Sequence, residues 1–149
     1  MDETLTEEQK NDLRLRIINL AGKLLGIPYD LGAEWTDLKT LPAALDCSEL
    51  VEGVYNHFGI KMPDGSQNQY NFTAPVATPK PGDLLFFAKD ANPSKIYHVG
   101  LLYDSQTVIE ARAFDPTAKF ETGAVILRPL VKWTGWKNYV GARAHPKLA

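Results

Sequence analysis

Asp46-Cys47-Ser48-Glu49-Leu50-Val51-Glu52-Gly53-Val54-Tyr55-Asn56-His57-Phe58-Gly59 reads as one amphipathic helix with a cysteine in its first turn. Leu50, Val51, Val54, Tyr55 and Phe58 recur at the spacing of a single helix face. Gly59 reads as the C-terminal stop. Asp46 is a good N-cap, and Glu49, three residues on, completes the pattern of a capping box. Cys47 then occupies the first helical position, where free N–H groups and the helix dipole favour an anion. A thiolate is such an anion, and it is the nucleophilic form of cysteine. The alternative is a small buried hydrophobe, the commoner role of an unpaired cysteine. Cys47 lies off the apolar stripe and at a helix end, which favours chemistry over packing.

Composition narrows the class. A chain of 149 residues, 44% hydrophobic, makes a single domain over residues 1–149 with a core that needs no disulfide or metal staple. One cysteine cannot form an internal disulfide, so nothing demands an oxidising compartment. The net charge is −2, and no basic run or basic, aromatic-rich patch points to nucleic acid. No apolar run reaches the length of a membrane span. The acidic, polar start Met1-Asp2-Glu3-Thr4 is unlike a signal peptide. The expectation is a monomer, with three origins left open: cytoplasmic, phage-encoded and delivered to its target, or a fragment of a longer secreted protein.

Outward from the cysteine helix, helices come first and strands second. Thr6-Glu7-Glu8-Gln9 resembles a helix start, and Leu13, Ile17, Leu20, Ala21 and Leu24 continue at helical spacing. A helix is expected from Glu7 to Leu25, ended by Gly26 and Pro28. Residues 29–45 read as a loop, and residues 59–82 as a long surface connection rich in turn formers. Asp83–Ala88, Val99–Tyr103, Val108–Ala113, Ala124–Leu130 and Tyr139–Ala144 read as strands. Segment 112–123, polar with Pro116 and Gly123, reads as a mobile loop. The strand spacings are too short for crossover helices, so the sheet should be mostly antiparallel and the class α+β.

A thiol nucleophile gains from an imidazole that takes its proton and pairs with the thiolate. His57 lies about 15 Å along the helix from Cys47, at 1.5 Å per residue, and cannot reach it. His145, before Pro146, reads as a surface residue. His98 opens a strand, a rigid support with an open end, although a lone histidine there is more often structural. Glu110, on the next strand among apolar neighbours, is the candidate to orient that imidazole through its other nitrogen. Its alternative is an exposed position on a half-buried strand. His98 and Glu110 can share a sheet face only if their hairpin has an odd loop or a bulge.

Three motifs, Asp46-Cys47-Ser48, Pro81-Gly82-Asp83-Leu84 and His98-Val99-Gly100, together resemble the signature of the NlpC family of cell-wall endopeptidases, which are papain-like. Gly26-Ile27-Pro28-Tyr29, Met62-Pro63 through Ser66 and Gln69, and Tyr139-Val140-Gly141-Ala142-Arg143 are similar to further family segments, in the family's order. The resemblance spans about Ala21 to Arg143 and implies a papain-like α+β core of about five strands. It also implies hydrolysis of peptidoglycan stem peptides or muropeptides, usually between D-γ-glutamyl and a diamino acid. Cys47 would be nucleophile, His98 base and then acid, and Glu110 the third catalytic residue. Tyr29, Asp46 and Ser48 match positions beside the nucleophile, where the tyrosine can aid the oxyanion and the polar pair can hold the substrate's amino end. No metal or other cofactor is implied.

The chain departs from the family pattern at three places. The third catalytic position, usually His or a neutral amide, is Glu110. Glu49 follows Asp-Cys-Ser where Gly is frequent, which adds a negative charge near the thiolate. Leu31-Gly32-Ala33 replaces an aromatic-glycine-glycine segment, with Trp35 nearby as a substitute for the pocket wall. The competing functions are a papain-like amidase or acyltransferase on another amide or ester, and a non-catalytic wall-binding module. Retention of both Cys47 and His98 argues against the second.

Overall fold

The computed structural model describes residues 4–113 and 123–149. Three helices precede and flank the sheet: α1 (Glu7–Lys23), α2 (Cys47–His57) and α3 (Ser66–Phe72). The strands are β1 (Ala74–Val76), β2 (Leu84–Ala88), β3 (Ile96–Asp104), β4 (Thr107–Arg112), β5 (Ala124–Pro129) and β6 (Tyr139–Ala144), with α4 (Leu130–Thr134) between the last two. They form one six-stranded sheet in the order β1-β6-β2-β3-β4-β5, and every paired neighbour is antiparallel. The α+β expectation holds, with one strand more than the five expected.

Local chemistry sets the helix ends. Thr6 accepts from the Gln9 N–H at 3.1 Å while Gln9 Oε1 accepts the Thr6 N–H at 2.9 Å, a complete capping box. Helix α1 stops at Lys23, two residues before the expected Leu25, because Leu24 is already the cap and Gly26 turns left-handed at φ 88°. Its inner face carries Ile17 and Ala21, with Leu24 beyond, and also a buried Arg14. Arg14 pairs with buried Asp83 at 2.7 Å and donates to the carbonyls of Pro81 and Leu148 at 3.0 Å each. The start of β2 is thereby clamped to α1.

The sheet is covered on both faces. Leu84, Phe86, Val99, Leu101, Ile109 and Ala111 join α1 and α2 in the larger core. Their alternate neighbours Leu85, Phe87, Leu102 and Val108 pack around Trp133 of α4 in a smaller one. Two covered faces explain why β2 is buried at all five positions instead of alternating.

The structure corrects several readings of the sequence. Residues 59–82 are more than a surface connection, because they hold α3 and edge strand β1. Helix α3 lacks a side-chain cap and an apolar stripe. Its anchor is the fully buried Gln69, whose amide donates to the carbonyls of Ser48 and Pro63 at 2.9 Å each. His145 is buried at 3% exposure, with Nε2 on the Lys61 carbonyl at 2.7 Å, Nδ1 accepting the Lys147 N–H, and its ring stacked on Tyr55. The loop expected over 112–123 lies largely outside the described residues, and Arg112 belongs to β4.

Candidate active site

Cys47 is the first residue of α2, a free thiol and half-buried. Asp46 caps the helix as expected. Its Oδ1 accepts from the Glu49 N–H at 2.8 Å and from the Ser48 hydroxyl at 3.2 Å, and Oδ2 accepts the Gly32 N–H at 3.0 Å. Asp46 and Ser48 are thus committed first to shaping the turn that carries Cys47. The second half of the capping box is absent. Glu49 instead turns its carboxylate to the Trp35 N–H at 2.7 Å and is 2% exposed. Burial pushes the Glu49 carboxyl up to about 7, against the Trp35 hydrogen bond, and nearby carboxylates add to the rise. Its charge is therefore muted near neutrality as well as turned toward Trp35.

Trp35 does not line the cleft described below. It is buried, its indole N–H shared by the carbonyls of Asp37 and Thr40, and it packs where a Cβ on Gly53 would lie 2.1 Å from the ring. Tyr29 forms a bridge with Leu45, just ahead of Asp46, and lines the cleft.

His98 and Glu110 come together across the β3–β4 hairpin. Leu101 faces Ile109 and Leu102 faces Val108, and the register then shifts by one before the turn pair Asp104–Thr107. That bulge is the irregularity that puts two even-numbered residues on one face. His98 Nε2 lies 2.8 Å from Glu110 Oε1. Glu110 has no exposed surface, which excludes the solvated-strand alternative. Its carboxylate is fully subscribed: Arg128 Nε donates to Oε2 at 2.6 Å, Arg128 Nη2 to Oε1 at 3.2 Å, and Trp133 Nε1 to Oε2 at 2.9 Å. Burial opposes ionisation, but the hydrogen bonds and charges of His98 and Arg128 outweigh it and hold the carboxyl down at about 2.

An ionised Glu110 accepts only, so His98 Nε2 carries a proton and Nδ1 is left for a partner on the other side. Burial would lower the pKa of His98. The hydrogen bonds and charges of Cys47 and Glu110 overcome that and lift it to about 9. The ring is also fixed by stacking, 5.3 Å from Trp133 and 5.7 Å from Phe87 between centroids. Gly100 leaves room for this arrangement, since a Cβ there would sit 2.8 Å from Val108 Cγ1 and 2.9 Å from Trp133 Cζ2.

Arg128 and Trp133 were not singled out in the sequence. A charge at Arg128 inside an otherwise apolar strand was the available signal. Beside His98 opens a cleft of about 540 Å³ whose walls include Tyr29, Phe87, Arg112, Arg128 and Lys132. Among the described residues, the group that could hold a metal is Glu34, Glu49 and Glu52, with carboxylate oxygens within 4.8 Å of one another. Desolvation, then repulsion from Glu49, pushes Glu52 up to about 8, so Glu52 holds its proton near neutrality. No helix is long and apolar enough to cross a membrane.

The NlpC/P60 family model matches residues 26–121. The peptidoglycan endopeptidase RipB of Mycobacterium tuberculosis is 31% identical over 104 residues, covering 64% of this chain and 42% of that protein. The gamma-D-glutamyl-L-lysine dipeptidyl-peptidase of Bacillus cereus is 28% identical over 131 residues, covering 87% of this chain and 35% of that protein. The crystal structure of an NlpC/P60 family protein from Bacillus cereus superposes with a TM-score of 0.69 at 24% identity, over 89% of this chain and 40% of that one. The chain spans 24% to 42% of the length of the curated relatives it matches. The match over residues 26–121, more than half of the chain, with the shared fold and the Asp-Cys-Ser and His-Val-Gly segments within it, places this chain in the NlpC/P60 family.

Proposed function

We propose that the protein is a cysteine endopeptidase that hydrolyses peptidoglycan stem peptides at the D-γ-glutamyl–diamino acid bond, with Cys47, His98 and Glu110 as its catalytic residues. The observation that carries this reading is the buried, ionised Glu110 holding one nitrogen of His98 while the other is left for the thiol at the start of α2. The names of the relatives, one an endopeptidase of peptidoglycan and one a γ-D-glutamyl-L-lysine dipeptidyl-peptidase, support the choice of bond.

The Cys47 thiolate attacks the γ-carbonyl carbon, and the carbonyl π electrons move to oxygen. The N–H groups of the first turn of α2 stabilise that oxyanion, and we assign the Tyr29 hydroxyl as a further donor to it. The intermediate collapses, the C–N bond breaks, and His98 gives its proton to the leaving amine. The neutral imidazole then takes a proton from water, which attacks the thioester. The acid is released, and the thiolate–imidazolium pair is restored. Glu110 stays ionised throughout and fixes the ring. The Asp46 carboxyl, beside the thiol, is the group we assign to a substrate amino end, with Ser48 next to it. Digestion of purified muropeptides followed by mass spectrometry tests the assignment. Wild type should release fragments ending in γ-glutamate, and Cys47→Ala should release none. Turnover by Cys47→Ala near the wild-type rate would refute the nucleophile.

A further inference from the structure

The cleft beside His98 carries a charge pattern opposite to that of the whole chain. The chain is net −2, yet among the described residues Arg112, Arg128 and Lys132 line this cleft and no carboxylate does. The acid that Arg128 holds, Glu110, is fully buried and is saturated by His98, Arg128 and Trp133. Arg128 spends Nε and Nη2 on it, so Nη1 is left for another acceptor. Among the described residues, neither Arg112 nor Lys132 has an ion-pair partner. The three come from different supports. Arg112 ends β4, Arg128 lies on β5, and Lys132 is on α4. Arg112 and Arg128 share the sheet face of Glu110, since Val108, two residues from Glu110 and four from Arg112, faces Arg128 directly. At the rim stands Trp136, whose indole N–H is held by the Tyr97 hydroxyl at 3.1 Å.

Position relative to the chemistry says which part of a substrate enters. His98 lines the cleft, and Cys47, Asp46 and Ser48 do not. The acyl half of the scissile amide stays with the thiol, whereas the amine half leaves toward the group that protonates it. We infer that this cleft is the subsite for the leaving diamino acid and that Arg112, Arg128 and Lys132 select a leaving residue with a free carboxylate. The inference rests on the peptidase reading above. Its chemistry is specific. A lysine side chain would bring an ammonium among three cations, whereas a diaminopimelate side chain ends in an ammonium and a carboxylate together and is neutral as a pair. Amidation of that distal carboxylate turns it back into a cation. The α-carboxylate of a terminal diamino residue is the other source of the same charge.

Four synthetic peptides separate these sources: L-Ala-γ-D-Glu-meso-diaminopimelate, the same peptide amidated at the distal carboxylate, the same peptide amidated at the α-carboxylate, and the L-lysine tripeptide. A charged hydrogen bond in a partly exposed cleft predicts roughly tenfold higher kcat/KM for the peptide with the decisive carboxylate. Loss of rate on distal amidation assigns the side-chain carboxylate, and loss on α-amidation assigns the terminal one. In Lys132→Gln and Arg112→Gln the ratio between free and amidated peptides should fall toward one, and added salt should shrink it in wild type. Removing the exposed Lys39, which lies outside the cleft, should leave the ratio alone. Equal rates on all four peptides overturn the inference. Calorimetric binding of the four to Cys47→Ala reads the same preference without turnover. If wild type cleaves none of them, the peptidase reading fails, and the binding order alone then upholds or overturns the anion subsite.

Discussion

Replacing Glu110 by Gln removes one charge at the centre of the site and leaves the shape almost unchanged. In the wild type, Cys47 and Glu110 together raise His98 from 6.5 to about 9 against the cost of its burial. If the two partners share that rise, losing the glutamate charge should lower the imidazolium pKa by about one unit, or ~1.4 kcal/mol of bias toward the charged ring. Arg128, its side chain only 18% exposed, would then face a neutral amide and push the imidazolium further down. The alkaline limb of kcat/KM follows the proton that His98 must give to the leaving amine, so it should move to lower pH by at least about one unit. The variant should also be less stable. A carboxamide has one accepting oxygen, whereas three N–H donors from Arg128 and Trp133 and one from His98 converge on this group. Stranding a fully buried guanidinium costs about 3–5 kcal/mol, and stranding the partly exposed Arg128, which lines the cleft, should cost less than that. The double variant Glu110→Gln with Arg128→Met should recover part of that stability, and its alkaline limb should stay below that of wild type. The sign for stability follows from the two shifts. Glu110 is held at about 2 against 4.5, so its contribution is complete above 4.5 and is lost as pH falls toward 2. His98 is raised, so its contribution is complete below 6.5 and is lost as pH rises through about 9. The wild-type pair therefore stabilises most between those limits, and Glu110→Gln should flatten the acid side. An unmoved alkaline limb in the single variant would refute the electrostatic role of Glu110, whatever its cost in stability.

Gly100→Ala should cost about 1–3 kcal/mol, since the new methyl group meets Val108 and Trp133 under 3.0 Å, and it should lower turnover by displacing the indole that holds Glu110. Thermal melts and kinetics on one muropeptide check both, and full activity would show that Trp133 does not position the carboxylate. Glu49→Gln should raise Tm above pH 7 relative to wild type. The raised carboxyl stabilises the native state fully below 4.5 and loses that contribution as pH rises through about 7, which Gln cannot do. Parallel Tm–pH curves would refute the burial of an ionisable Glu49.

What the sequence disclosed was local. The cap at Asp46, the stripe from Leu50 to Phe58 and the stop at Gly59 are all written within one helix, and the structure places α2 at Cys47–His57. The strands were legible because each is short, apolar and bounded by turn formers. The parity of 98 and 110 even required the bulge that the hairpin contains. Where the reading fell short, the deciding partner lies far along the chain or against the local pattern. Helix α3 is polar and uncapped, and it exists because the Gln69 amide reaches the Ser48 carbonyl 21 residues earlier. His145 looked exposed because it precedes Pro146 close to the C-terminus, but its ring bonds the Lys61 carbonyl 84 residues away. Glu49 satisfied the capping-box pattern, yet its carboxylate went instead to the buried Trp35 N–H, 14 residues earlier.

The same division runs through the candidate site. Cys47 and His98 announce themselves because a helix start and a strand start are visible in any single segment. Arg128 and Trp133 sit 18 and 23 residues from the carboxylate they hold, on a strand end and a five-residue helix with no side-chain cap. Yet they determine what Glu110 can be. A carboxylate with no exposed surface and only a histidine for company would face a desolvation cost that drives it toward protonation. A protonated acid could not stabilise an imidazolium. Arg128 and Trp133 are thus the condition under which a glutamate can stand where the family more often has a neutral or basic residue. Because Arg128 also forms a wall of the cleft, the group that keeps Glu110 ionised is the group an incoming carboxylate would touch. In this chain the choice of Glu110 and the cationic character of the cleft are then one arrangement, linked through a single guanidinium.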